Sequence, residues 1–359
     1  MRILFCIDSL TKGGAERVVS NLANYLSAKE HTVKIVTFLD SAPQYELDKK
    51  IKFISIAGEG NRFQKLKNRT KSLKKEYASF NPDIILSFLP YASLVALLAN
   101  RTLHKKIIVS VRNDPKIEYR SLKYKYLKAF LYPMADGFVM QTEEMKDYFS
   151  KKIQSKAVVI ANPINEIFIK NYYSGEREKV IVTVGRLYKQ KNHKLLIDAF
   201  SKLPNQFHDY KLCIYGEGYL RKKLEQYIDK NGLKERVFLP GKVQDVPKAI
   251  KKAACFVLTS DYEGMPNALM EAMALGLPVI STDCPCGGPR YLIKNRINGI
   301  LVKEKDVNGI SNAIKMILSD QVLAEKMGKE AATIAKTLSP AKVNKKWEDY
   351  LFKIGEDRL

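Results

Sequence analysis

The sequence predicts an α/β protein made of two doubly wound domains. Three observations carry this. Short β-branched or apolar runs alternate with amphipathic segments along the whole chain, as expected of parallel strands joined by helical crossovers. The alternation occurs twice, in halves separated by the polar, turn-rich stretch NPINEIFIKNYYSGEREK at 162–179. At 359 residues the chain is too long for one ordinary core and suits two.

In the first half the strands are expected at ILFCI (3–7), VKIVTF (33–38), KFISI (52–56), DIILSF (83–88), KIIVSV (106–111), GFVM (137–140) and AVVI (157–160). Helical patterns lie between most of them. In 63–80, Phe63, Leu66, Thr70, Leu73, Tyr77 and Phe80 recur at three and four residues and the other face is basic. βα alternation makes this a core helix returning to the strand that starts at Asp83, with a membrane-surface helix as the alternative. The apolar stretch 84–99 is broken by Pro90 and is shorter than the roughly 20 residues a spanning helix needs, so it reads as a strand followed by a helix.

In the second half the strands are VIVTVG (180–185), KLCIYG (211–216), RVFLP (236–240), ACFVLTS (254–260), LPVIST (277–282) and GILV (299–302). A last helix at 342–355 has no strand after it and is expected to pack back on the first domain. The domains are therefore drawn as 1–165, 166–340 and a terminal segment 341–359. The cleft between the two domains is the default ligand site.

An apolar fraction of 46% and a charged fraction of 28% are globular values and exclude a disordered chain. The opening MRILFCID puts a strand-like run directly after Met1, without the longer apolar region of a signal peptide. Five cysteines, an odd number and mostly scattered, suit a reducing cytoplasm. Cys284-Pro-Cys286 has no second Cys/His pair nearby and reads as a turn rather than a zinc site. The net charge of +23 asks for an anionic partner, and residues 61–130, with 16 Lys or Arg against 4 Asp or Glu, supply about half of it. Nucleic acid, an acidic membrane surface or phosphorylated small molecules would all satisfy that charge. No helix-turn-helix, RNA-recognition or zinc-finger pattern occurs, so nucleic acid is not the expected partner.

Open α/β sheets bind ligands at the carboxyl ends of their strands. Gly13-Gly14 follows the first strand and opens a helix, where a glycine pair lets a phosphate approach backbone amides. Arg186 and Lys191 leave the strand 180–185 in GRLYKQKNH; together they suit the two phosphates of a nucleotide diphosphate, and on pattern alone two solvated cations of a basic protein remain the alternative. His193 beside them reads as a surface or helix-start residue. SDYEGMPNALMEAMALG, 260–276, places Glu263 in a loop and Glu271 in the helix beginning near Asn267. The amides of Asn267 and Ala268 at that helix start make a phosphate seat, and carboxylates on either side of it suit sugar hydroxyls. On spacing alone, Glu263 as a solvated loop residue and Glu271 as a helix-start acid remain open.

Taken in order, GGAERV, VGRLYKQKN, YGEGYLRKKLE, SDYEGMPNALMEAMALGLPVI and NGILV resemble the landmarks of retaining glycosyltransferase family 4. The match runs over nearly the whole chain and is most specific in the second half. The resemblance implies the GT-B fold, α/β, with two Rossmann-like doubly wound domains facing each other across a cleft. It implies a nucleotide-sugar donor, usually UDP-linked, with no cofactor and no metal, and there is no Asp-x-Asp motif. Glu271 would hold the ribose, Glu263 the transferred sugar, and Arg186 with Lys191 the diphosphate. Gly264, Met265, Asn267 and Ala268 would line sugar and phosphate. Gly13 and Gly14 would close over the diphosphate, and Gly216, Glu217 and Val243 would lie around the nucleotide. Many members carry a histidine after the fifth strand of the first domain. Here the stretch reads VSVRNDP, which leaves Arg112 and Asn113 as acceptor-side candidates.

By the same resemblance the first domain would take a lipid-diphosphate-linked saccharide acceptor, and its basic charge would fit an anionic membrane surface. The expected enzyme is cytoplasmic and peripheral on the inner face of the plasma membrane. The segment 117–137 interleaves Arg120, Lys123, Lys125 and Lys128 with tyrosines and leucines, as a helix lying at a bilayer surface would, with a merely solvated helix as the alternative. Two other classes stay open, a sugar-nucleotide epimerase of the same fold and a nucleic-acid-binding protein. The first needs an acid/base pair outside the donor motif, and the second leaves the spacing of Arg186, Lys191, Glu263 and Glu271 unexplained.

Overall fold

The computed structural model describes residues 1–11 and 13–356. Positions 357–359 of the expected terminal segment, and the side chain of Lys123, lie outside the described residues. The chain divides into two compact units, Met1–Pro163 with Ala341–Leu359, and Ile164–Pro340.

The first unit holds β1 (Arg2–Ile7), β2 (Thr32–Thr37), β3 (Lys52–Ser55), β4 (Ile84–Phe88), β5 (Lys106–Ser110), β6 (Gly137–Met140) and β7 (Ala157–Val159). They form one parallel sheet in the order β3-β2-β1-β4-β5-β6-β7. The second unit holds β8 (Glu178–Val184), β9 (Lys211–Tyr215), β10 (Val237–Gly241), β11 (Ala253–Leu258), β12 (Val279–Thr282) and β13 (Ile300–Val302). These pair in parallel as β10-β9-β8-β11-β12-β13. In both sheets the winding reverses beside the first strand, between β1 and β4 and between β8 and β11, which is where a doubly wound sheet opens a crevice at its carboxyl edge.

The strands form where both faces are covered. All of β4 and β11 is buried, so their sequences read as continuous apolar runs rather than as alternation. Between strands the chain returns as helices with one apolar stripe. Gly14–Ala28 buries Val18, Val19, Leu22, Ala23 and Leu26. Arg62–Phe80 starts on an Asn61/Gln64 capping box and buries Leu73, Tyr77 and Phe80. It is the crossover helix that alternation requires, and its cationic face is exposed. Pro90 takes the first turn of the helix Pro90–Asn100, where its missing N–H costs nothing, so 84–99 is a strand and a helix.

Two stretches depart from the sequence reading, and the terminal helix does not. The polar stretch 162–179 contains a short helix, Glu166–Lys170, and already enters β8 at Glu178, because the buried Phe168 gives one side of it something to pack. The segment 117–137 is a chain of short pieces, from Pro115–Glu118 through Leu122–Tyr126 and a wide π-helical turn at Leu127–Leu131 to a tight turn at Tyr132–Met134. The terminal helix Pro340–Glu356 buries Trp347, Tyr350 and Leu351. Trp347 stacks on Phe88 at 5.7 Å, and the Tyr350 hydroxyl accepts from the Phe138 amide at 3.0 Å and donates to the Lys156 carbonyl at 2.6 Å. This helix thus belongs to the first unit's core. Among the described residues no helix is long and apolar enough to cross a membrane.

Candidate active site

The loops that follow β8 and β11 flank the reversal in the second sheet and are laced together. The Asp261 amide donates to the Gln190 carbonyl at 2.8 Å, the Gln190 side chain to the Tyr262 carbonyl at 2.9 Å, and Asn192 to the Asp261 carboxylate at 2.8 Å. Thr259 donates its hydroxyl to the carbonyls of Lys191 and Asn192, each at 3.1 Å. The lacing brings Lys191 into an ion pair with Glu263, both largely buried. Ser260 donates to the same carboxylate oxygen, Oε1, at 2.6 Å.

Glu263 is also held from a third direction. Its amide donates to the Pro285 carbonyl at 2.7 Å, and its carbonyl accepts from the Cys286 amide at 3.2 Å and from the Cys286 Sγ at 3.3 Å. The first residue of the helix Gly288–Leu292 presses so closely that a Cβ on Gly288 would meet the Gly264 carbonyl oxygen. Glycine is needed there for close approach rather than for an unusual φ. With a cation and a hydroxyl both on Oε1, this buried carboxylate is fixed in one orientation.

Pro266 is the N-cap of the helix Asn267–Ala274, and its side chain makes no capping hydrogen bond. The amide end of the helix therefore presents its positive pole next to the Glu263 loop. Glu271 sits in the second turn and is buried, as are Gly264 and Met265 in the loop before it. Arg186, one residue beyond Gly185, is exposed, with its guanidinium 4.9 Å over the Tyr188 ring. His193 is buried, not at the surface, and its Nε2 lies 3.2 Å from the Arg186 carbonyl. Burial holds its imidazole down to about 4, so it stays neutral and positions the Arg186 backbone.

Gly216, after β9, has a φ of +141° and its amide donates to the Gly241 carbonyl at 2.9 Å. A Cβ there would fall on the Gly185 carbonyl oxygen, so the ends of β8 and β9 can approach only at glycine. Glu217 is clamped by Arg221 through both carboxylate oxygens, at 2.6 and 2.8 Å. Val243, in the loop after β10, is partly exposed.

The remaining candidates lie in the first unit. Gly13 is the N-cap of its helix with extended backbone; its amide donates to the Tyr45 hydroxyl at 3.2 Å and its carbonyl accepts from it at 2.9 Å, while Gly14 is the first helical residue. Arg112, just past β5, is buried with its guanidinium 4.9 Å from the Phe88 ring and 5.3 Å from that of Trp347. It donates from Nη1 to Asn162 at 3.1 Å, and its Nε and Nη2 find no partner among the described residues. Burial lowers it to about 9. Asn113 hydrogen-bonds Glu118, whose carboxyl is pushed up to about 8 by burial first and then by the charges of Asp8 and Asp114.

The structure brings the sequence candidates Lys191 and Glu263 together; the spacing of the sequence missed the residues that hold these two and their loops, Ser260, Thr259, Asn192 and the turn around Cys286. Cys284-Pro-Cys286 was the available signal, and its Pro285 and Cys286 grip the Glu263 backbone. Glu118 gave no signal, because its environment is made by residues distant in sequence.

Comparison with known proteins identifies the family and the fold. Residues 12–166 match the model of Glycosyltransferase Family 4, and residues 165–333 that of Glycosyl transferases group 1. The N-acetylgalactosamine-N,N'-diacetylbacillosaminyl-diphospho-undecaprenol 4-alpha-N-acetylgalactosaminyltransferase of Campylobacter jejuni is 31% identical, over 96% of this chain and 98% of its own. A second Campylobacter jejuni enzyme, GalNAc-alpha-(1->4)-GalNAc-alpha-(1->3)-diNAcBac-PP-undecaprenol alpha-1,4-N-acetyl-D-galactosaminyltransferase, is 28% identical over 97% of each. The crystal structure of Anabaena Alr3699/HepE in complex with UDP superposes with a TM-score of 0.80 at 18% identity, covering 98% of this chain and 100% of that one. At that identity the likeness is one of fold.

Proposed function

Because this chain belongs to glycosyltransferase family 4 and has its GT-B fold, we propose that it moves a hexose or N-acetylhexosamine from a UDP-linked donor to a saccharide carried on a lipid diphosphate. The transfer proceeds with retention, without a metal, at the inner face of the plasma membrane. The observation that carries this reading is the Lys191–Glu263 pair at the β8/β11 reversal, beside the proline-led start of the helix that bears Glu271. In one place the second unit offers a cation for a diphosphate, a fixed carboxylate for a sugar and a second carboxylate one turn on for a ribose.

The chemistry follows from those roles. As the bond between the anomeric carbon and the phosphate oxygen breaks, negative charge grows on the departing diphosphate. Arg186, Lys191 and the helix amides stabilise it there, more strongly than in the ground state. The acceptor hydroxyl forms the new glycosidic bond on the face that UDP leaves, and its proton passes to the departing phosphate. No protein nucleophile is needed, so positioning and charge stabilisation supply the rate. Glu263 orients the sugar while its pair with Lys191 keeps that cation close to the leaving group.

Both Campylobacter jejuni relatives are named for N-acetylgalactosaminyl transfer to undecaprenol-linked saccharides, which puts UDP-N-acetylgalactosamine first among donors and a polyprenyl-diphosphate saccharide first among acceptors. The test is UDP release from a panel of UDP-sugars with such an acceptor and a chelator, for wild type, Glu271→Ala and Arg186→Ala. Chelator-resistant release with one donor, lost in both variants, is the expected result. If no nucleotide sugar raises the melting temperature and none turns over, the transferase reading fails. Interconversion of the donor sugar without transfer would replace it by the epimerase.

A further inference from the structure

In the first unit, the short pieces between Leu122 and Met134 have an inner and an outer side. Leu127, Leu131 and Tyr132 are buried, and the hydroxyls of Tyr132 and Tyr119 are hydrogen-bonded at 2.5 Å. Facing out at every fourth residue are Leu122, Tyr126, Phe130 and Met134, which are 83%, 58%, 62% and 43% exposed. The rings of Tyr126 and Phe130 lie 4.5 Å apart in water. Single exposed apolar residues are ordinary, but a row of four held in place by a packed inner side is not.

The surroundings are cationic. The helix Pro90–Asn100 packs against both Leu127–Leu131 and Arg62–Phe80, so these two segments are neighbours across it. Arg62–Phe80 adds Phe63, 76% exposed, and the exposed cations Arg62, Lys67, Lys71, Lys74 and Lys75. Its one acid, Glu76, is taken up by Lys34. Of the four cations expected at the bilayer from the sequence, Arg120 and Lys125 are exposed, whereas Lys128 turns to the Tyr148 ring at 4.3 Å. No acidic residue occurs between Arg120 and Pro133.

We propose that this face docks on an anionic lipid bilayer. Leu122, Tyr126, Phe130 and Met134 enter the boundary between headgroups and acyl chains, and the flanking lysines and arginines lie on lipid phosphates. Apolar and charged signals act together, which stable peripheral binding requires, and aromatic rings favour that depth. A second copy of the chain fits the same row poorly, because a symmetric pairing would bring like-charged rims face to face. The inference rests on the proposed transfer at the plasma membrane and names the surface that meets the lipid; vesicle binding and sugar transfer are read separately, so either can fail alone.

Its test is sedimentation of the full chain with vesicles of phosphatidylcholine alone, or with about a third phosphatidylglycerol. Wild type is expected on the anionic vesicles only, with partitioning reduced roughly tenfold or more at about 0.5 M salt. Leu122→Ser/Tyr126→Ser/Phe130→Ser should lower partitioning at least about tenfold, and Lys67→Glu/Lys71→Glu/Lys74→Glu by a similar factor. Val322→Ser, at a residue 78% exposed in the second unit, should change nothing. Melting temperatures report whether each variant is folded, and the charge-reversal variant tests the surface even if the apolar triple does not fold. Wild-type binding by both folded triple variants, or no binding by wild type, overturns the proposal. So does a wild-type dimer that the apolar triple converts to a monomer with partitioning unchanged.

Discussion

Both units wind their sheets in the same order and reverse beside their first strand, yet the two carboxyl edges are finished differently. In the second unit the loops after β8 and β11 pair their charges: Lys191 meets Glu263, Asn192 meets Asp261, and Ser260 completes the carboxylate. In the first unit the corresponding edge holds Arg112, buried against the rings of Phe88 and Trp347, and the half-buried Glu118 near Asp8 and Asp114, neither in an ion pair among the described residues. A shared architecture thus fixes where a site can be and leaves its chemistry to the loops. The paired edge is built to hold one rigid ligand geometry. The first unit's distinctive surface is instead lateral, cationic and apolar.

The contrast can be broken most forcefully at the paired edge. Glu263→Gln or Lys191→Ala should lower kcat/KM for sugar transfer by about 10² to 10³, with a smaller loss for Ser260→Ala, which removes a support and not a substrate contact. Equal losses in all three would mean that the loop, rather than the carboxylate, is what matters. Gly216→Ala comes next. A methyl at φ +141° and against the Gly185 carbonyl should cost roughly 3 kcal/mol in urea unfolding, and a variant as stable as wild type would show that the β8 and β9 ends are looser than drawn.

Glu118 tests the unpaired edge through pH. Its folded-state pKa is raised to about 8, so the folded protein binds this proton more tightly than the unfolded chain does. The stabilisation is complete below the ordinary carboxyl value and is lost as pH rises through about 8. Relative to Glu118→Gln, wild type should therefore lose about 2 kcal/mol between acid and alkaline pH, allowing for the partial exposure of the group. Parallel stability curves for the two proteins would remove Glu118 from the buried set. The smallest effect is expected at Arg112, where Arg112→Met should stay within about 1 kcal/mol of wild type, because a buried cation without an ionic partner contributes little net stability. A raised KM for the acceptor in a fully stable Arg112→Met would move this residue from the core to the acceptor.

Much of the second unit was legible because its determinants are local. Pro266 and Asn267 mark the helix start at the residue where the structure begins it, and the spacing of Glu263 and Glu271 needs only that helix to place both. The supports of Glu263 were not legible: Pro285 and Cys286 come from the loop after β12, more than 20 residues on. In the first unit Arg112 read as an acceptor-side candidate, and nothing near it in sequence reveals that Trp347 closes over it. The segment 117–137 looked like one amphipathic helix, and only packing against the helix Pro90–Asn100 and the Tyr119–Tyr132 contact decides which of its tyrosines and leucines go inward.

The sequence by itself therefore determined the two sheets, their connecting helices and the chemical types at the β8/β11 reversal, because hydrophobic period, proline and glycine act over a few residues. The tertiary structure alone decided which charges are paired, which are buried without ionic partners and which apolar side chains stay in water. Those outcomes depend on desolvation by residues that meet only after the chain has folded, and desolvation has no local signature.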